Sequence, residues 1–157
     1  MAVTAPRVTV SQLKDVLLQA GKRPQIVTEC EQLLDEEVAA KSGLTGLAVK
    51  GAFKMVKAVK PGVIHEAVDG LLDDFVSRME PFFASWQAAP AGKSVADYFG
   101  AHAPEIADAL LGITDERAER SKHGTLKKAY STLRPQGKKH VTEAMPRVGR
   151  LIERHGK

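Results

Sequence analysis

Apolar residues recur at three- and four-residue spacing along almost the whole chain, and the runs end at prolines and glycines. That period is the signature of helices buried on one side. A strand needs alternation with period two, and a short hairpin favours Asn-Gly or Asp-Gly between two such runs; no sustained alternation occurs here, and the one Asp-Gly pair, Asp69-Gly70, lies inside a run with helical spacing. The expectation is an all-α fold: a single irregular or orthogonal bundle of about seven to eight helices spanning 1–157. The loop at residues 88–93, which contains Ala88-Ala89-Pro90-Ala91-Gly92, is the one place where a subdomain break could fall. With 157 residues and 43% hydrophobic content, the chain can bury a core without metal or disulfide.

The punctuation sets the helix boundaries. A first helix is expected from about Ser11 to Ala20, with Thr9 and Gln12 at capping-box spacing. Pro24 suits the first turn of a second helix, which carries Ile26, Val27, Cys30, Leu33, Leu34 and Val38 to about Lys41, with Gly43 as its C-terminal cap. A third helix, about Thr45 to Lys60, is apolar around most of its circumference. Lys50, Lys54 and Lys57 fall within about 60° of one another on its wheel. A helix of that kind is usually central, so it is expected to form the middle of the bundle together with a fourth helix from Val63 to Met79. Pro81 permits a kink or a restart. Ser94 and Asp97 open a short helix, Pro104 a longer one, and further helices follow Gly124 and Gly137, with Pro146 inside the last pattern.

Charge is distributed unevenly. Residues 42–62 hold four lysines and no acid; residues 63–116 hold ten acids and two cations; residues 117–157 hold twelve cations and three acids. The basic third can face the acidic middle within one fold, or it can face an external anion. In the second case Arg117, Arg120, Lys122, Lys127, Lys128, Arg134, Lys138 and Lys139 are the candidate nucleic-acid contacts, because clustered cations supply phosphate affinity.

Catalytic chemistry finds little to stand on. His65-Glu66 is followed by Asp69 four residues after His65, but a zinc-protease helix needs a second histidine there. Diiron Glu-x-x-His pairs, nucleophile elbows and phosphate-binding glycine loops do not occur. Cys30 lies in an apolar stripe and reads as an inert thiol. Phe75, Met79, Phe82, Phe83 and Trp86 read as packing anchors. His65, His102 and His123 are the histidines to inspect in any pocket. The sequence therefore assigns no catalytic residue, no cofactor and no metal. A lysine-striped apolar helix could also lie on a membrane surface, yet burial explains the third helix better. No run is long and apolar enough to span a bilayer. The N-terminus lacks the apolar region of a secretory signal, and one cysteine fits a reducing compartment.

Three stretches carry a family resemblance. They are Lys41-Ser42-Gly43-Leu44-Thr45-Gly46 with Lys50, Lys54 and Lys60-Pro61-Gly62; Leu71-Leu72-Asp73-Asp74-Phe75; and Ala109-Leu110-Leu111-Gly112-Ile113-Thr114-Asp115. Together they resemble an uncharacterised bacterial, largely actinobacterial, family of all-helical proteins of unknown function. The resemblance implies a single domain in a bacterial cytoplasm and brings no activity with it. The leading functional expectation is a non-enzymatic cytoplasmic protein acting through protein–protein contact or self-association. The alternative is a nucleic-acid-associated protein using residues 117–157.

Overall fold

The computed structural model describes residues 12–88 and 92–156. Among them are the helices α1 (Leu13–Leu17), α2 (Arg23–Ala40), α3 (Gly43–Lys57), α4 (Val63–Ala88), α5 (Val95–Ala101), α6 (Ala103–Arg120), α7 (Gly124–Leu133) and α8 (Gly137–His155). A 3-10 turn, Arg134–Gln136, links the last two. No strand occurs among the described residues. The all-α expectation holds.

α4 runs through the middle of the bundle. Its Leu72, Val76, Met79 and Phe83 meet Leu13, Val16 and Leu17 of α1 and Ile26 and Val27 of α2. The same buried cluster takes in Val95 and Phe99 of α5, Ile106 and Leu110 of α6, and Met145, Leu151 and Ile152 of α8. One core thus draws on helices from both sides of the 88–93 loop, of which residues 89–91 lie outside the described residues. Phe75, Phe82 and Trp86 pack against this core, as packing anchors should. The Trp86 indole N–H donates to the Lys93 carbonyl at 2.9 Å, so its polar end is satisfied.

The central helices differ from expectation. No residue of α3 joins the core cluster. α3 lies at the periphery, packed mainly on α7, and buries only Gly46, Val49 and Ala52. α8 takes the central place instead, packed on α5 and α6 and sharing the core cluster with α4. The reason is where the bulk lies. α3 spreads its large apolar residues around the helix with glycine and alanine between them, so no single face offers a compact bulky stripe, whereas α8 buries Met145, Leu151 and Ile152.

Boundaries moved for identifiable reasons. α1 is one short turn rather than a ten-residue helix. Its first free amide, Leu13 N–H, donates to both Glu80 carboxylate oxygens, at 3.0 and 2.9 Å. The Gln12 N–H donates to Asp15 at 3.0 Å. Thr9, expected to cap this helix, lies outside the described residues. Pro81 and Pro146 interrupt neither α4 nor α8. Each removes one amide donor, and packing on both sides of the helix outweighs that loss. The Ser94 cap is present, with its hydroxyl accepting from Asp97 N–H at 3.1 Å. Pro24 and Pro104 stand in the first turns of α2 and α6.

Candidate functional site

The eight cations proposed as nucleic-acid contacts divide into two sets. Arg117 bonds Asp74 of α4 at 2.8 Å, and Lys138 bonds Asp108 of α6 at 2.9 Å. Arg134 grips Asp115 with both Nε and an Nη, at 2.7 and 3.1 Å, and Arg120 lies 3.4 Å from Glu116. Lys122, Lys127, Lys128 and Lys139 make no ion pair among the described residues. Farther along α8, Arg147 reaches Glu36 and Glu37, and Arg154 reaches Glu29. Much of the basic third thus answers carboxylates inside the fold.

Arg134 and Asp115 border an open groove between the end of α6 and α7. Glu119, Lys127, Tyr130 and Pro135 line it as well. Its polar groups serve one another. The Tyr130 hydroxyl donates to Asp115 and lies 2.7 Å from the Thr114 hydroxyl. Hydrogen bonds from Arg134 first, then from Tyr130, hold the Asp115 carboxyl below its ordinary range. Burial, then the Asp115 hydrogen bond, pushes the Tyr130 phenol up. A stabilised carboxylate and a reluctant phenol are poor proton carriers near neutrality.

The histidines do not converge. His65 is paired with Glu31, and its sequence neighbour in the metal idea, Asp69, is held by Arg23 at 3.0 Å. His102 stacks on Tyr98, and His123 precedes α7. Among the described residues no three His, Cys, Asp or Glu side chains gather as a metal set. Burial, then the neighbouring Glu29 charge, pushes the Cys30 thiol up to about 11, which suits an inert position. His140 escaped the sequence reading. It is mostly buried on α8, and neither ring nitrogen has a hydrogen-bond partner. The signal was its wheel position, about 20° from Leu151.

The large exposed apolar side chains among the described residues all lie on α3. Leu44 is 87% exposed, Leu47 69% and Met55 40%. On the α3 wheel they fall within about 80° of arc, a stripe that also holds exposed Gly51, with exposed Ala48 about 20° beyond its edge. Lys54, Lys50 and Lys57 follow along one edge of the stripe. Lys57 lies 4.5 Å over the Phe53 ring and 3.6 Å from Asp35 of α2. Lys50 and Lys54 make no ion pair among the described residues. Burial had been expected to cover this helix; one face of it is open to solvent.

A family of unknown function, DUF6918, has a sequence model that matches residues 13–156. The chain belongs to that family. The DUF6918 match takes in every helix from α1 to α8, so the α3 face and the α6–α7 groove both lie within the family region. No curated protein matches the chain, and no solved structure does. No described helix is long and apolar enough to cross a membrane.

Proposed function

We propose that this DUF6918 chain is a non-enzymatic cytoplasmic protein that acts through protein–protein contact, with the outer face of α3 as its contact surface. The observation that carries the reading is the gathering of Leu44, Leu47 and Met55 on one face. Single exposed apolar residues are ordinary, whereas a contiguous stripe bordered by charge marks an interaction surface. The polar groups of the α6–α7 groove support the same reading, since they are already engaged with one another.

The test is site-specific photo-crosslinking in the native cell, from position 47 and from the exposed control position 77 on α4. Discrete adducts are expected from position 47, absent from position 77 and lost when Leu44→Asp is added. Equal adducts from both positions, or adducts indifferent to Leu44→Asp, would sink the reading.

Nucleic-acid contact is the second reading. It rests on Lys122, Lys127, Lys128 and Lys139, the four candidates without an ion pair among the described residues. It requires binding that weakens steeply with salt and disappears in Lys127→Glu/Lys128→Glu.

A further inference from the structure

We infer that the α3 face receives an acidic amphipathic helix from a different protein; this rests on the docking reading above. α3 is packed on α7, and neither helix contains an aspartate or a glutamate. Together they carry Lys50, Lys54, Lys57, Lys127 and Lys128. The exposed apolar stripe thus belongs to a layer of one charge sign, and the occupant that complements it has an apolar seam with carboxylates beside it.

Charge argues against a second copy. A symmetric pair formed through this face sets the acid-free layer against itself, with like charges opposed across the contact. Side-chain size argues against a lipid surface. Transfer into lipid gains from large apolar area, yet Gly51 within the stripe and Ala48 at its edge add little. No aromatic residue stands on the exposed arc, although interfacial helices commonly use Trp or Phe there. A helix uses small residues differently. Leu44 and Leu47 at one end and Met55 at the other flank a low stretch at Ala48 and Gly51, and a facing ridge can settle into it. Beyond its own stretch of helix backbone, Gly51 has no described atom within 4 Å of where a Cβ would lie. Nothing the structure places around that position requires a glycine there, and glycine is a poorer helix former than alanine at a mid-helix position. Close approach of an outside backbone accounts for it.

The test pans the full chain against a displayed library of helical peptides about 18 residues long. Leucines are fixed at three- and four-residue spacing, and the positions beside them are randomised among Glu, Gln and Lys. Recovered peptides should favour Glu over Lys about tenfold, and their binding should weaken about tenfold between roughly 50 and 300 mM NaCl. Leu47→Asp should weaken binding about tenfold with unchanged far-UV circular dichroism, since the side chain is exposed. Lys50→Glu/Lys54→Glu should reverse the preference to Lys-flanked peptides, a gain that misfolding cannot produce.

Peptides without charge preference that still depend on Leu47 would overturn the acidic occupant and leave the docking face standing. So would a dimer in sedimentation that Leu47→Asp splits. Leu47-dependent retention on vesicles of phosphatidylcholine and phosphatidylglycerol, without peptide recovery, would replace the protein occupant by lipid and overturn both readings. Peptides indifferent to Leu47→Asp, or no peptide above background, would overturn this inference; the crosslinks from position 47 decide the docking reading separately.

Discussion

At Gly149 the fold depends on a missing methyl. A Cβ built there would stand 2.5 Å from the Ala96 Cα, well inside contact distance. The obstruction is backbone, so no rotamer change relieves it. α5 and α8 lie this close because Gly149 faces Ala96, and the approach also lets Glu153 accept from Ala96 N–H at 2.9 Å. Gly149→Ala improves helix propensity by about 1 kcal/mol. It still forces α5 outward, and overpacking of that kind costs about 1–3 kcal/mol, more where backbone must move. The expected result is net destabilisation by about 1–2 kcal/mol in urea unfolding, despite the better helix former. A variant as stable as the parent would show that α5 is not pinned against α8.

Among elements, α3 gives the sharpest contrast between periodicity and packing. The sequence showed that a helix lies there, where its lysines fall, and that it ends before Pro61-Gly62. It did not show which arc is covered, because an apolar residue on a wheel looks the same facing a neighbour or facing water. α4 was legible in part: a stripe of Ile64, Ala67, Val68, Leu71, Leu72, Phe75 and Met79 marked the helix to Met79, whereas the buried Val76 and its continuation through Phe83 to Ala88 were not read from it. α3 mixes large and small residues on every side, so its orientation was settled by α7, which brings only Ala129 into full burial against its neighbours. The candidate contact face followed from that missing cover, and no motif announced it. His140 was hidden similarly, as a polar residue at the edge of an apolar arc. Two substitutions check the placement of α3. Leu47→Ser should change unfolding free energy by no more than about 0.5 kcal/mol, as exposed positions do. Ile106→Ala in the core should cost about 2–5 kcal/mol.

For the whole molecule, the uneven charge along the chain becomes a set of cross-connections. α8 cations meet α2 and α6 acids, and α6 and the 3-10 turn hold Asp74 and Asp115. Exposed pairs of this kind add little stability each, but together they leave the fold sensitive to acid. Burial, then the nearby Lys41 charge, lowers the His140 imidazole below its ordinary 6.5; Glu143, Lys139 and Glu37 also face it. In the unfolded chain His140 takes up its proton near 6.5, while the folded chain resists until lower pH. The unfolded state binds more protons in that window, so stability falls as pH drops through it. A second loss follows lower down. Glu143, held by the Lys41 hydrogen bond, sits below its ordinary 4.5. Burial alone would raise the Glu29 carboxyl, and hydrogen bonds from Arg154 and His155 more than reverse that. The Tm should therefore decline between about pH 7 and pH 5.5 before the steeper carboxylate-driven loss. His140→Leu should flatten the first decline while keeping neutral-pH stability, because it removes two unsatisfied buried nitrogens. An unchanged decline in that variant would assign it to another group.

The place of α8 against α5 and α6 also has a temporal side. Translation runs from the N-terminus, so α1 through α7 are synthesised before Met145, Leu151 and Ile152 exist. Until then Phe99 and Ile106 have lost water-free company on the side that α8 will cover, and the nascent chain is at its most adhesive. Maturation of this molecule is therefore a race between elongation and self-adhesion, and synonymous codons that slow the ribosome just ahead of residue 137 should lower the yield of folded protein without altering a single amino acid.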